Sequence, residues 1–523
     1  MYVLITLVII LLATAFMVGL RVSQSSTKYS WLTSTIGALL AWLSILAWQF
    51  DLPRRLAPSL WAPTSLFNTS PDLLAEPYAW LYAISLAALA AAVVLTSPAR
   101  LSTSVNPAAW AGTLALVGLG LLAILADNPL TLVLGWTAID LTEFFNTLRA
   151  SDSPSLSERT VISFSIRAAG TWVALWASVI SAANNQTFLF ENASPQTGIF
   201  LLLAAGLRLG VLPLHLTYRS EPVLRRGFGT VLRLMTAATS LIVLARLPAS
   251  ALDAGIRGPI LLILVGLAGL YGGWRWLVAS DELSGRPYWI IGMSALSLAA
   301  TLRGNPTGSA AWGAALVLFG GISFLYSSRT RWITRLLAGF GILLLALPFS
   351  LTASSWGGSF PWPWLFWPIF LVAHLMLVAG YLRHLFQPGE TLFEELPVWA
   401  RTAYPAGLGL LVLTALLAGG WGWPGARQVG AWPVAVLLIF LGSLAGFATW
   451  RFRRFAPVEK PAQGPGPGSG LGNWTVRLVG VFWLVYRQLG SLLSLVANLL
   501  EGNGGLLWTL LLLVLFITLF RGH

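Results

Sequence analysis

Runs of about twenty apolar residues recur along nearly the whole of this chain. A helix rising ~1.5 Å per residue needs about 20 residues to cross the ~30 Å hydrocarbon core of a bilayer. No water is present there to satisfy the backbone, so each run must close its hydrogen bonds within itself as an α-helix. Of 523 residues, 57% are hydrophobic and 9% charged. No water-soluble domain needs that balance. The chain therefore reads as an all-α polytopic membrane protein. Its spans lie near 2–20, 30–49, 78–97, 107–126, 129–148, 160–182, 197–216, 229–247, 258–279, 287–302, 308–327, 332–352, 363–386, 403–422 and 431–450. The Pro- and Gly-rich stretch 457–472 (PVEKPAQGPGPGSGLG) is a linker. A helix over 474–500, carrying Arg477 and Arg487, and a last span over 505–520 follow it.

The net charge of +13 raises the question of nucleic acid, but its placement answers with topology. With the loops numbered in chain order, the odd loops hold 19 Lys and Arg and the even loops hold 6. By the positive-inside rule the odd loops are cytoplasmic and the N-terminus is outside. The first run has no basic residue before it and Arg21 after it, the pattern of an uncleaved first span. The expected location is the cytoplasmic membrane. With no cysteine, disulfides and thiolate metal sites are excluded. The 26 Trp suit the headgroup level, where an amphipathic indole is at home.

Charges inside the spans are few, and each is expensive unless paired. GLRLGVLPLHLTYRSE (206–221) sets Arg208 five residues before Pro213, with His215 just beyond. Asp140 and Glu143 are three apart and share a face of the fifth span. Arg167, Arg208 and Arg233 are the available cations, and the expected pairs are Asp140 with Arg208 and Glu143 with Arg167 or Arg233. Such pairs either fix helix register or retain ion coupling. The two lysines, Lys28 and Lys460, fall in loops. Arginine stays charged in proteins, so Arg208 cannot exchange a proton as a buried lysine can. No acid lies between Glu282 and Glu390, and His374 is the titratable side chain expected to be buried there, apart from Tyr. Asp281 and Glu282 are expected to face water, as is the loop of Arg219, Glu221, Arg225 and Arg226. There is no Ser-His-Asp set, phosphate loop, dinucleotide fingerprint or metal-ligand cluster, so no catalytic residue, metal or cofactor is implied.

Four stretches resemble the antiporter-like membrane subunits of respiratory complex I (NADH:quinone oxidoreductase), Mrp-type cation/proton antiporters and membrane-bound hydrogenases. NPLTLVLGWTAIDL (128–141) is similar to a stretch in which glutamate follows Gly-Trp. GLRLGVLPLHLTYRSEP (206–222) resembles the segment with a buried lysine five residues before Pro-Leu. ASDELSGRPYWIIGMSALS (279–297) and LLALPFSLTASSW (344–356) resemble an acidic-basic loop and a Gly-Leu-Pro stretch of the second repeat. The resemblance implies two inverted five-helix repeats within about 14–16 transmembrane helices. It divides the chain into N-terminal spans (1–106), two repeat-like bundles (107–247 and 258–386), C-terminal spans (387–456), the linker (457–472) and a lateral helix with an anchor span (473–523).

The departures bear on function. The glutamate position falls on Thr137, the lysine position on Arg208, and the next helix offers Leu232, Arg233 and Met235. The second-repeat lysine has no counterpart. The resemblance thus implies a membrane-arm subunit with degenerate translocation residues, partnered by other membrane subunits and the bilayer rather than by nucleic acid. One alternative is an active subunit moving protons or Na⁺ through Asp140, Glu143, Arg208, Arg233 and His215. A second is a lipid-linked glycosyltransferase or polymerase, for which the largest outside loop, 50–77, offers only Asp51, Asp72 and Glu76 as acids.

Overall fold

A computed structural model describes residues 1–22, 27–57, 71–103, 107–149, 154–184, 189–216, 226–252, 257–428, 431–453, 510 and 513–514. The linker at 457–472 lies outside them, as do Arg219, Glu221 and Arg225. So does the lateral helix with its anchor span, but for the helical positions 510 and 513–514.

The described helices are α1 (Tyr2–Val22), α2 (Thr27–Leu46), α3 (Pro77–Thr96), α4 (Pro107–Leu125), α5 (Pro129–Arg149), α6 (Pro154–Ala183), α7 (Pro195–Leu209), α8 (Arg226–Arg246), α9 (Arg257–Val278), α10 (Arg286–Leu302), α11 (Pro306–Leu325), α12 (Arg331–Phe340), α13 (Pro363–Leu385), α14 (Val398–Gly420) and α15 (Trp432–Arg453). They correspond one to one with the fifteen expected spans. Ten are long and apolar enough to cross a membrane by length and composition. Lys28, expected in a loop, sits in the first turn of α2. Short 3₁₀ turns and two small sheets complete the described elements: antiparallel β1 (Arg54–Leu56) with β2 (Leu73–Ala75), and parallel β3 (Ser328–Arg329) with β4 (Thr391–Leu392).

The chain separates into two compact units, Met1–Ala435 and Val436–His523. In the second, the described backbone is the remainder of α15 and the positions near 510. In the first, α11 is the most deeply buried of those ten helices, and α3 and α8 follow, each almost wholly buried. The window of α1 is only 22% buried, and Leu4, Val8, Leu11, Leu12 and Phe16 stand exposed on it. That is the surface a lipid-facing helix presents.

Two spans stop short of their expected ends, each the fourth of a five-helix run: α7 in α4–α8 and α12 in α9–α13. The helix expected over 197–216 ends at Leu209, where Gly210 takes a left-handed conformation (φ 74) that glycine adopts without strain. Turns continue to Leu214, and Val211 and Leu212 donate back to the Gly206 carbonyl. The helix expected over 332–352 ends at Phe340 and passes through a 3₁₀ turn (Gly341–Leu344) into irregular chain. Side chains satisfy the released groups: the Thr352 hydroxyl donates to Leu343 O at 2.7 Å, and His374 Nε2 donates to Leu344 O at 2.9 Å. Irregular backbone at membrane depth is tolerated only where protein supplies such partners.

The tryptophans are not confined to the interface. Trp48, Trp80, Trp136, Trp276, Trp289 and Trp312 are fully buried. Several donate their indole N–H across helices, as Trp80 does to Ile45 O (2.9 Å) and Trp289 to Leu316 O (3.1 Å). A buried indole is stable once its single donor is used.

Ties between loops join odd to odd and even to even. At the odd-loop end Arg226 reaches Glu282 (2.8 Å) and Glu390, and Arg329 reaches Glu282 (3.1 Å). Arg383 donates to Leu277 O and Ala279 O. At the even-loop end Arg55 pairs with Asp127 (2.7 Å) and Glu191 (3.3 Å), and Arg246 with Glu76 (2.5 Å). Gln49 donates to Gly422 O, and the N-terminal ammonium binds Asp51 at 2.7 Å. The charge asymmetry therefore separates two real faces. Two expectations change here. Glu282 and Arg226, placed in water from the sequence, are buried against each other, and Asp281 alone of that acidic pair is exposed.

Candidate functional site

The first five-helix run brings five charges together. On α5 the i, i+3 spacing aims Asp140 and Glu143 inward. Arg167 comes from α6, Arg208 from the last turn of α7, and Arg233 from α8. All five side chains are at most 3% exposed.

Arg208 is the hub. Its Nη1 donates to Asp140 Oδ2 at 2.6 Å and its Nη2 to Asp140 Oδ1 at 3.0 Å, a bidentate pair. Nη1 also reaches Thr171 Oγ1 (2.9 Å) and the Arg167 carbonyl (3.2 Å), while Nε reaches Ser240 Oγ (3.4 Å). The guanidinium lies 4.3 Å from the Trp136 ring centroid. This approach of α6 to α7 requires Gly170: a Cβ there would stand 2.6 Å from Arg208 Cγ and 3.0 Å from Ala204 O.

Arg167 bridges the two acids. Its Nη1 binds Glu143 Oε1 at 2.6 Å, and its Nε lies 3.3 Å from Asp140 Oδ1. Arg233 Nη1 donates to the same Glu143 Oε1. Glu143 thus engages both cations offered to it, and its Oε2 has no hydrogen-bond partner among the described residues. Three of the four carboxylate oxygens are thus engaged by guanidinium groups.

Three other candidates lie apart from the network. Thr137 is exposed on the outer side of α5, while Asp140, one turn on, occupies the interior. His215 is buried beyond the end of α7, with Nδ1 2.8 Å from Pro213 O. His374 belongs to the second run, against Leu344 O and 4.8 Å from the Trp312 ring. His374 is also not the sole buried histidine of that region. His384 is 1% exposed, bonded to Trp276 O (2.9 Å) and Gln387 Oε1 (2.9 Å). Sequence reasoning missed Thr171 and Ser240, the hydroxyls that complete the Arg208 shell. Their one signal is spacing, Thr171 lying a turn beyond Arg167 on the same face. No group of three or more His, Cys, Asp or Glu suited to a metal ion occurs among the described residues.

No family model matches the sequence, and no curated protein matches it. Solved structures do match in fold. A chain of the Mrp complex from Dietzia sp. DQ12-45-1b superposes with a TM-score of 0.64 at 16% identity, over 99% of this chain and 62% of that one. This chain thus spans less than two thirds of that relative. A chain of the membrane-bound sulfane sulfur reductase, an archaeal respiratory membrane complex, gives 0.63 at 16% identity, over 98% and 99%. A chain of respiratory complex I from Thermus thermophilus gives 0.58 at 18% identity, over 84% and 99%. The chain is a multi-pass membrane protein with the antiporter-like fold, and these neighbours are subunits of multi-subunit membrane complexes.

Proposed function

We propose that this chain is a membrane-arm subunit of an energy-coupling complex of the kind in which its structural neighbours occur. It sits in the cytoplasmic membrane with its N-terminus outside and packs beside other membrane subunits. Its interior network supports or transmits coupling without a complete proton path of its own. One observation carries this reading: the charge at the interruption of α7 is an arginine held by both oxygens of Asp140. A guanidinium does not lose its proton in proteins, so this position carries a constant charge. Redox chemistry, where the assembly performs it, belongs to partner subunits. The test is extraction of the tagged chain in mild detergent. It should elute as one species with other polytopic subunits. A lone chain that conducts protons by itself in proteoliposomes would overturn the proposal.

A second reading rests on Glu143 Oε2, the one carboxylate oxygen of the network with no hydrogen-bond partner among the described residues. It offers an acceptor through which protons or Na⁺ could still be coupled. In proteoliposomes holding the assembly, an unchanged proton flux in Asp140→Asn/Glu143→Gln ends that reading. A large loss in an intact assembly favours it over the first.

A further inference from the structure

Three arginines mark α8 at three depths. Arg226 opens the helix, Arg233 follows two turns later, and Arg246 closes it. The twenty steps from Arg226 to Arg246 span ~30 Å at ~1.5 Å each, about the thickness of the hydrocarbon core.

Each arginine is held by a different part of the chain. At the odd-loop end Arg226 contacts Glu282, the Phe324 carbonyl (2.7 Å) and Glu390, all from the second half. In the interior Arg233 meets Glu143 of α5. At the even-loop end Arg246 meets Glu76, the Leu74 carbonyl (2.9 Å) and the Ala126 carbonyl. Arg246 suits the negative end of the helix macrodipole, whereas Arg226 opposes the positive end. The acids of the second half therefore do more than neutralise a loop charge, because they hold the helix at its unfavourable terminus. Between its ends α8 is continuous and contains no proline. Its hydroxyls at Thr236 and Ser240 donate to its own carbonyls, at 2.7 and 2.9 Å. Ser240 Oγ and Thr239 O also receive Arg208 Nε and Trp136 Nε1.

We infer that α8 is a positioning rod: its anchors at the two faces, Arg226 on Glu282 and Glu390 and Arg246 on Glu76, set where Arg233 meets Glu143. Glu282 and Glu76 are then positioning residues for an interior contact that neither touches. Loss of either anchor alters the environment of Glu143, and by linkage the interior pair acts back on both faces. This holds whether or not the chain conducts ions.

The test is infrared spectroscopy of the full chain in lipid nanodiscs, with the Glu143 carboxylate band assigned by its loss in Glu143→Gln. Glu282→Gln and Glu76→Gln, made at opposite faces, should each displace that band. Glu395→Gln, an exposed acid of the same odd-loop side that holds neither Arg226 nor Arg246, should leave it in place. A band unmoved in both Glu282→Gln and Glu76→Gln overturns the inference, and so does a shift equally large in Glu395→Gln. Should Glu282→Gln not assemble, Glu282→Asp keeps the charge and retracts it by one methylene. The expected result is then a smaller displacement, and an unmoved band counts against the rod.

Discussion

At the scale of single residues, the decisive contact is Arg208 with Asp140. Cutting one side of a buried ion pair leaves an uncompensated charge, whereas replacing both sides by apolar groups of similar volume is often nearly neutral. Asp140→Asn should therefore destabilise the protein by about 3–5 kcal/mol, seen as a lower unfolding temperature in nanodiscs. Arg208→Met combined with Asp140→Leu should recover most of that loss. A double variant as unstable as the single one would show that the loss does not come from a stranded Arg208 charge but from the other partner of Asp140, Arg167. The participants were legible from the sequence because charge in an apolar run is rare and costly. Glu282 was misread for the complementary reason. Next to Asp281 in a polar loop it carries no sign of burial, and only the arrival of Arg226 and Arg329 from distant segments removes it from water.

At the scale of elements, two loop carboxylates should respond oppositely to acid. Burial pushes the Asp127 carboxyl above its ordinary range, against the pull of Arg55 and Arg246. Burial also acts upward on Asp281, but the N–H groups of Ser284 and Leu283 and the Ser280 hydroxyl outweigh it and hold that carboxyl below the usual range. A raised folded value favours the fold below the unfolded value and loses that contribution as pH rises through the folded one. A lowered value contributes above the unfolded value and fails as pH falls through the folded one. On acidification Asp127 should therefore take up its proton with no loss to the fold at β1, while the turn at 281–285 loosens as pH falls through the lowered Asp281 value. Hydrogen exchange across a falling pH series should show protection lost at 283–284 while 54–56 keeps its protection; the reverse order would contradict the assignment. The early ends of α7 and α12 also belong to this scale. Both stretches are apolar, yet each carries a proline, Pro213 and Pro348, just past its helix end; Gly210 turns the first chain, and Thr352 and His374 take up the carbonyls released at the second.

At the scale of the whole chain, the absence of native cysteine makes topology directly measurable. Cysteine placed at Ser280, on the odd-loop side, should label from the face opposite to cysteine placed at Asn192 or Ser359. All three positions are exposed. Membrane-impermeant maleimide on oriented vesicles would report it, and equal labelling of all three from one side would reject the two-faced arrangement. Hydropathy and charge placement alone determined the helical class, the order of the fifteen described helices and the grouping of their loops at two ends. They did so because backbone satisfaction in lipid and the bias of Lys and Arg act locally on each segment. Which helices are central and which acid each arginine meets were decided by tertiary structure. Those outcomes depend on close approaches such as Gly170 against Arg208, and on loops far apart in sequence converging at one end of the bundle.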